Sequence, residues 1–437
     1  MGQTTSFRVK VQRFASAIQK NKYINSVSNG LSSILPVILG GAIFTLIDTI
    51  NIPAYQTFLV NTGLKALTEI PPMITIDLLA LYAVFAIAYT TATQFKSDAF
   101  SAGVVALMSF FIVTPLGVLS DEATLALSYQ WLGSTGLFVA ILIGVLIGRL
   151  STLIIDNGYY IKMPKGVPPT IEKSFAALTP AFMAIILMLM VRGIFELTPF
   201  GNIHEFIYTL VQVPLVNLGG SWWAYLIVVF VMSLLWFFGI HGTIVVMGVI
   251  LPIWTSLRLE NLEAYQAGVE LPHTIAGGAF FMTYTAIGGT GATIGLAVLL
   301  LMAKSKRYKT LGKLAIVPGL TGINEPIMFG VPLVLNMKLL IPLIVAPLAT
   351  SIIAMLATTI GLVEPLRGIG VPLGTPIFIN GFLEGGWRVP ILQLVLLLVS
   401  LALFYPFFRS LDREALLVEQ GEDPEVAADK AAKASNA

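Results

Sequence analysis

Apolar runs of bilayer-crossing length recur about every 25 to 35 residues along this chain, with short polar connections between them. The pattern predicts spanning helices near residues 31–50, 75–94, 99–119, 132–155, 180–199, 222–240, 275–303, 337–362 and 388–408. Three further stretches, 241–257, 314–336 and 363–387, are apolar but interrupted by Gly and Pro, too broken for simple spans. If 241–257 crosses outward, the acidic linker 258–274 lies outside and 275–303 returns, whereas 314–336 is expected to leave and re-enter on one side. Re-entrant backbone is tolerated at membrane depth only where protein or a watery cavity satisfies its N–H and C=O groups, and transporter binding sites are where it is usually found.

Before the first span, Phe7, Val11, Phe14 and Ile18 recur at helical spacing among Arg8, Lys10, Arg13 and Lys20. This predicts a basic amphipathic helix on the cytoplasmic membrane face, with a partly ordered tail as the alternative. The first apolar run begins too late for a cleavable signal peptide. Lys and Arg gather in the N-terminal tail, at Lys96, from Arg149 to Lys173, from Lys304 to Lys313, and at Arg409 and Arg413. The positive-inside rule then puts these stretches and both termini in the cytoplasm, and leaves Asp121, Glu122, Glu260, Glu263 and Glu270 outside. A shift in pattern near residue 200 suggests four parts: a scaffold or oligomerisation domain at 1–200, an interfacial linker helix at 201–221, a substrate domain at 222–411, and a solvated tail at 412–437.

Composition supports the membrane reading, because 56% of the 437 residues are hydrophobic and 11% are charged, against about 25% charged in a soluble domain. The chain has no Cys, which excludes disulfides, thiolate metal sites and a cysteine nucleophile. His204, His241 and His273 are too few and too scattered to suggest a metal centre, so no metal or cofactor is expected. Nothing in the charge pattern supports nucleic-acid binding.

The candidate chemistry lies in the interrupted segments. Within Gly319–Pro332, one carboxylate, Glu325, sits between helix breakers in an otherwise apolar stretch. A buried acid there is costly, so it is expected to face a polar cavity with partners; capping a half-helix or pairing with an Arg is the alternative. His241 follows an aromatic cluster containing Trp236 and precedes Gly242, and an imidazole can donate and accept while aromatic faces stack on sugar rings. A polar contact at a helix end would account for it equally well. Gly385-Gly386-Trp387-Arg388 offers a stacking platform and a cation, or an interfacial anchor. The Pro-punctuated basic stretch Met163–Phe175, which includes Lys173, is a docking surface or an ordinary connector. Arg192 and Glu196 are spaced to pair with one another. Gly288–Ala292 is Gly-rich but lacks the Lys and the strand-to-helix context of a phosphate loop.

Several segments taken together carry a resemblance: Met-Pro-Lys-Gly-Val-Pro-Pro at 163–169, Ser-Phe-Ala-Ala-Leu at 174–178, Phe-Gly-Ile-His-Gly at 238–242, Gly-Gly-Thr-Gly-Ala at 288–292, Asn-Glu-Pro-Ile at 324–327, Trp-Arg at 387–388 and Tyr-Pro-Phe-Phe at 405–408. Over nearly its whole length the chain resembles enzyme IIC, the membrane subunit of the lactose/cellobiose/chitobiose family of the phosphoenolpyruvate-dependent sugar phosphotransferase system. The resemblance implies an all-α membrane protein of the glucose-superfamily type, with about ten transmembrane helices and two re-entrant hairpins. It further implies a homodimer formed through the N-terminal half and residence in the bacterial inner membrane. The implied activity is import of a β-linked disaccharide coupled to phosphorylation at C6 by a phosphocysteine on a separate enzyme IIB, so that the chain is a phosphotransferase only together with IIB. The lack of Cys agrees with a chain that carries no fused IIB domain. Glu325 and His241 would hold the accepting hydroxyl, and Asn324, Trp236, Gly242, Trp387, Arg388, Gly136 and Lys173 complete the expected substrate-binding set. One departure is that Gly386 stands where family members often have an acidic residue before Trp-Arg. The residues alone also permit an ion-coupled sugar carrier with Glu325 as its titrating group; a channel fits them less well, lacking rings of lining residues.

Overall fold

The computed structural model describes residues 2–50, 52–119, 124–164, 166–331 and 333–422; Asp121, Glu122 and the end of the tail lie outside them. Among the described residues, seven helices are long and apolar enough to cross a membrane, or eight if Ile203–Gly219 and Trp222–Phe237 count as one broken span. The chain divides into two compact units, one of Arg13–Gly220 and Met247–His273, the other of Met1–Gln12, Ser221–Val246 and Thr274–Ala437. Residues 247–273 therefore group with the N-terminal segment and not with the 222–411 stretch that contains them in sequence.

In the first unit, Leu79–Gln94 and Leu137–Asp156 lie side by side. Their approach depends on a seam of small residues. A Cβ at Gly148 would sit 2.9 Å from the Ala88 carbonyl oxygen, and one at Gly144 2.9 Å from Ile87. Small residues four apart let backbones meet in lipid, where apolar side chains gain little by leaving one apolar medium for another. Ala99–Val113 packs beside this pair but is shorter than the expected span 99–119. The helix stops because Thr114 precedes Pro115, whose ring disfavours helical backbone at the residue before it, and Thr114 is extended (φ −77°, ψ 129°). The chain continues into an antiparallel hairpin, Leu116–Leu119 with Thr124–Leu127, a β element that an all-α reading did not foresee. His204 is fully buried, stacked on Trp131 with its Nε2 3.1 Å from Thr114 Oγ1, and so belongs to the core. Arg192 and Glu196 pair at 2.8 Å, as their spacing predicts.

The second unit contains Trp222–Phe237, Met337–Thr359 and Arg388–Glu419 as its long helices. Residues 275–303, expected to be one span, are broken: Gly277–Phe280 and a π-turn at Phe281–Thr285 are separated from Ile294–Leu301. Gly288, Gly289, Gly291 and Ala292 all have positive φ there, a backbone conformation that cannot continue a right-handed helix. Gly242–Gln266, which looked broken, is instead a continuous 25-residue helix that carries Pro252 in its interior. Residues 314–336 do break, as Lys306–Leu320 gives way to the short helix Glu325–Gly330.

Candidate functional site

Three interruptions in the second unit meet at one place. The first ends Trp222–Phe237: Gly239 (φ 77°) terminates the helix while its N–H and that of Ile240 return to the carbonyls of Trp236 and Leu235. His241 follows, and its Nδ1 accepts the N–H of Ile244 at 3.3 Å, capping the start of Gly242–Gln266. An accepting Nδ1 leaves the proton of a neutral ring on Nε2. Gly242 is forced by closeness, since a Cβ there would lie 2.0 Å from the Met232 carbonyl oxygen. Trp236, 3% exposed, packs against the imidazole at 4.4 Å between ring centroids. Its indole N–H has no hydrogen-bond partner among the described residues.

The second interruption is the Gly-rich turn about Thr290, and the third carries Asn324 and Glu325. Pro326 follows Glu325 in the first turn of Glu325–Gly330, where a missing N–H costs nothing. Asn324 Nδ2 donates to the Thr290 carbonyl at 2.7 Å and to Thr293 Oγ1 at 3.0 Å. Thr290 Oγ1 in turn lies 2.5 Å from Thr243 Oγ1, at the start of the helix that His241 caps. The Gly-rich turn thus ties the His241 corner to the Asn324 corner. Gly289 is needed for this contact, because a Cβ would fall 2.4 Å from Asn324 Cγ and φ is 98°. The result is an imidazole Nε2 3.8 Å from a Glu325 carboxylate oxygen, with side-chain exposures of 35% and 47%. Glu325 is therefore open on one side, not enclosed as a buried acid would be. The separation exceeds a hydrogen bond, leaving both groups free to engage a third.

The structure brings Trp236, His241, Gly242, Asn324 and Glu325 together. Asn324, expected among the sugar ligands, is 4% exposed and spends its amide hydrogens on the protein. Trp387 and Arg388 are both exposed at the start of Arg388–Glu419, the guanidinium 5.6 Å from the indole centroid. Gly136 and Lys173 belong to the first unit. A Cβ at Gly136 would lie 1.8 Å from the Trp131 carbonyl oxygen, so packing accounts for this glycine, and Lys173 is exposed on Pro169–Ala176. Thr243, Thr290 and Thr293 escaped notice in the sequence, where only the Gly-rich run beside them gave a signal.

Sequence reasoning also missed Glu384. Its carboxylate, 1% exposed, accepts the N–H groups of Ile369 (3.1 Å), Gly370 (2.6 Å) and Val371 (3.1 Å). Gln393 does comparable work nearby, accepting from Phe378 N–H at 2.8 Å and donating to the Thr283 carbonyl at 2.9 Å. Together they hold the non-helical stretch 363–378 in place. Among the described residues no three His, Asp or Glu side chains gather as metal ligands.

Long apolar helices with a half-open polar corner made from helix breaks define a multi-pass membrane transport protein. The model of the phosphotransferase system EIIC family matches residues 28–347, and the chain belongs to that family, in its lactose/cellobiose/chitobiose group. It is similar to the lichenan permease IIC component of Bacillus subtilis, 38% identical over 424 residues that cover 94% of each chain. It is also similar to the cellobiose-specific EIIC component of Geobacillus stearothermophilus, 36% identical over 94% of this chain and 95% of that one. The crystal structure of ChbC, the IIC component of an N,N'-diacetylchitobiose-specific phosphotransferase system, superposes with a TM-score of 0.88 at 36% identity, over 94% of this chain and 98% of that one. The protein is thus a permease component of a sugar phosphotransferase system, a multi-pass protein of the bacterial cytoplasmic membrane.

Proposed function

We propose that the protein imports a β-linked disaccharide or short oligosaccharide and that His241 and Glu325 hold its C6 hydroxyl for phosphorylation. The observation that carries this reading is the 3.8 Å opening between Nε2 and the carboxylate. One hydroxyl oxygen can lie about 2.8 Å from both groups at once. It would accept from Nε2–H and donate to Glu325. In the transfer, the S–P bond of phosphocysteine on enzyme IIB breaks, the sugar O–P bond forms, and the hydroxyl proton passes to Glu325. Phosphoryl transfer asks the protein mainly for position and charge placement, which this corner supplies. Relatives named for lichenan, cellobiose and diacetylchitobiose support the β-linked class.

On this reading the interrupted segments about Gly288 and Gly322 and the short helix Ala99–Val113 make up the difference between the long helices and about ten crossings with two re-entrant hairpins. Both termini face the cytoplasm, the N-terminal half forms the homodimer, and Trp387 and Arg388 contact the sugar away from the reacting hydroxyl. Binding of cellobiose, diacetylchitobiose, lactose and β-mannobiose to purified protein, repeated with Glu325→Gln and His241→Ala, tests the site. Both variants are expected to lose most affinity, and parent-like binding by both would place the site elsewhere.

A further inference from the structure

A second cavity, of about 640 Å³, opens beside the far end of Arg388–Glu419, well along the helix from Trp387 and Arg388. Met302, Phe408 and Leu416 form its apolar side, and Lys304, Arg409 and Arg413 its polar side. Three cations against the one carboxylate that lines it, Asp412, leave the cavity a net positive charge. Arg409 and Arg413 stand one helical turn apart, and neither forms an ion pair with a carboxylate among the described residues. The carboxylate that lines the cavity, Asp412, is already engaged: it accepts the N–H of Lys304 at 2.8 Å, and the N–H and hydroxyl of Ser305 at 3.0 and 2.8 Å.

The apolar side is equally unusual. Met302, just past the end of Ile294–Leu301, is 72% exposed, and Tyr405, where Arg388–Glu419 passes from apolar to charged residues, is 48% exposed. A phosphate alone needs cations but no exposed apolar wall beside them. An anionic phospholipid matches both halves, with its headgroup on the cations and its chains on Met302 and Tyr405. The positive-inside rule puts this end at the inner leaflet, where anionic lipids attract basic pockets.

We propose that this cavity binds one anionic phospholipid, its phosphate held by Arg409, Arg413 and Lys304. Each cation near the surface contributes enough that losing two should weaken retention about thirtyfold. The experiment is native mass spectrometry and thermal unfolding of the full-length protein in phosphatidylglycerol or phosphatidylcholine of the same acyl chains. The parent should retain phosphatidylglycerol through delipidation and unfold at a higher temperature in it. The Arg409→Gln/Arg413→Gln variant should lose both effects while still binding sugar in detergent, and Arg409→Lys/Arg413→Lys should keep them. Equal retention of the two lipids by the parent would overturn the proposal without any variant. So would displacement of the lipid by millimolar inorganic phosphate, which would mark a free-anion site. Unchanged lipid retention in the Gln variant, with loss of IIB-dependent phosphorylation, would overturn it too and mark the face as a protein contact.

Discussion

That Glu325 and His241 would have polar company was legible in the sequence for a thermodynamic reason, since an acid and an imidazole beside helix breakers in apolar surroundings persist only with a use or a partner, and the two lie 3.8 Å apart. The residues that hold them were not legible, because threonine is common in spanning helices and its hydroxyl usually turns back on its own helix. Thr91 and Thr152 do so in this chain, whereas Thr290 and Thr243 bond to one another across 47 residues. Gly289 shows the same gap between signal and meaning. The Gly run was visible, but its use as a flat seat for Asn324 emerges only from the contact. Gly289→Ala should move Asn324 and, through it, Glu325, at a cost of about 1–3 kcal/mol from strained backbone and overpacking. Sugar affinity is expected to fall at least tenfold while size-exclusion and circular dichroism profiles stay those of the parent, measured by calorimetric titration. Asn324→Ala should lower affinity less than Glu325→Gln does, because its amide serves the scaffold and not the sugar; the two titrated side by side decide the point.

At the scale of elements, hydropathy identified most of the continuous helices and the break within 314–336, but misjudged 275–303 and 241–257. An average over 275–303 is apolar enough for a span, yet three glycines with positive φ within four residues end the helix. The reverse holds for Gly242–Gln266, where Pro252 signalled a break and the helix continues through it. Proline removes one hydrogen bond, whereas consecutive left-handed residues change the direction of the chain. The stretch 363–378 has no regular structure to satisfy its backbone, and Glu384 replaces that with one carboxylate for three N–H groups. Glu384→Ala would leave those donors without an acceptor in a buried place, at about 1–3 kcal/mol for each group left unpaired. Hydrogen exchange at Ile369, Gly370 and Val371 is expected to rise sharply in this variant, with exchange in Leu79–Gln94 unchanged. In the first unit, Gly148→Leu should separate Leu79–Gln94 from Leu137–Asp156, because the Ala88 carbonyl and the Thr91 side chain already occupy the space. A lower unfolding temperature in detergent would be the readout.

At the scale of the whole molecule, the proposed phosphorylation requires a site within the membrane and a donor in water to meet. Lys306–Leu320 leads from one to the other: Lys306, Arg307, Lys309 and Lys313 are exposed near its start, and Glu325 follows soon after its end. Its 15 residues rise about 22 Å at 1.5 Å each. The start of this helix is fixed to Arg388–Glu419, since Glu419 accepts the N–H groups of Lys306 (2.9 Å) and Arg307 (2.8 Å). Its basic side chains are exposed, and on the proposed topology they would face the cytoplasm. Docking of IIB on this turn would use attraction between opposite charges, which acts mainly on the rate of encounter. Replacing Lys306, Lys309 and Lys313 with Gln should therefore slow IIB-dependent phosphorylation by about tenfold at low salt and much less at high salt, where exposed charges are screened. Sugar affinity, which the proposed site sets at the other end of the helix, should not change. A phosphorylation rate equal to that of the parent at every salt concentration would move the docking surface away from this turn, and a loss of sugar affinity would mean that the helix transmits strain to Glu325. Because Arg409 and Arg413 are untouched in this variant, its lipid retention should match the parent's, which separates partner docking from lipid binding at neighbouring parts of one charged face.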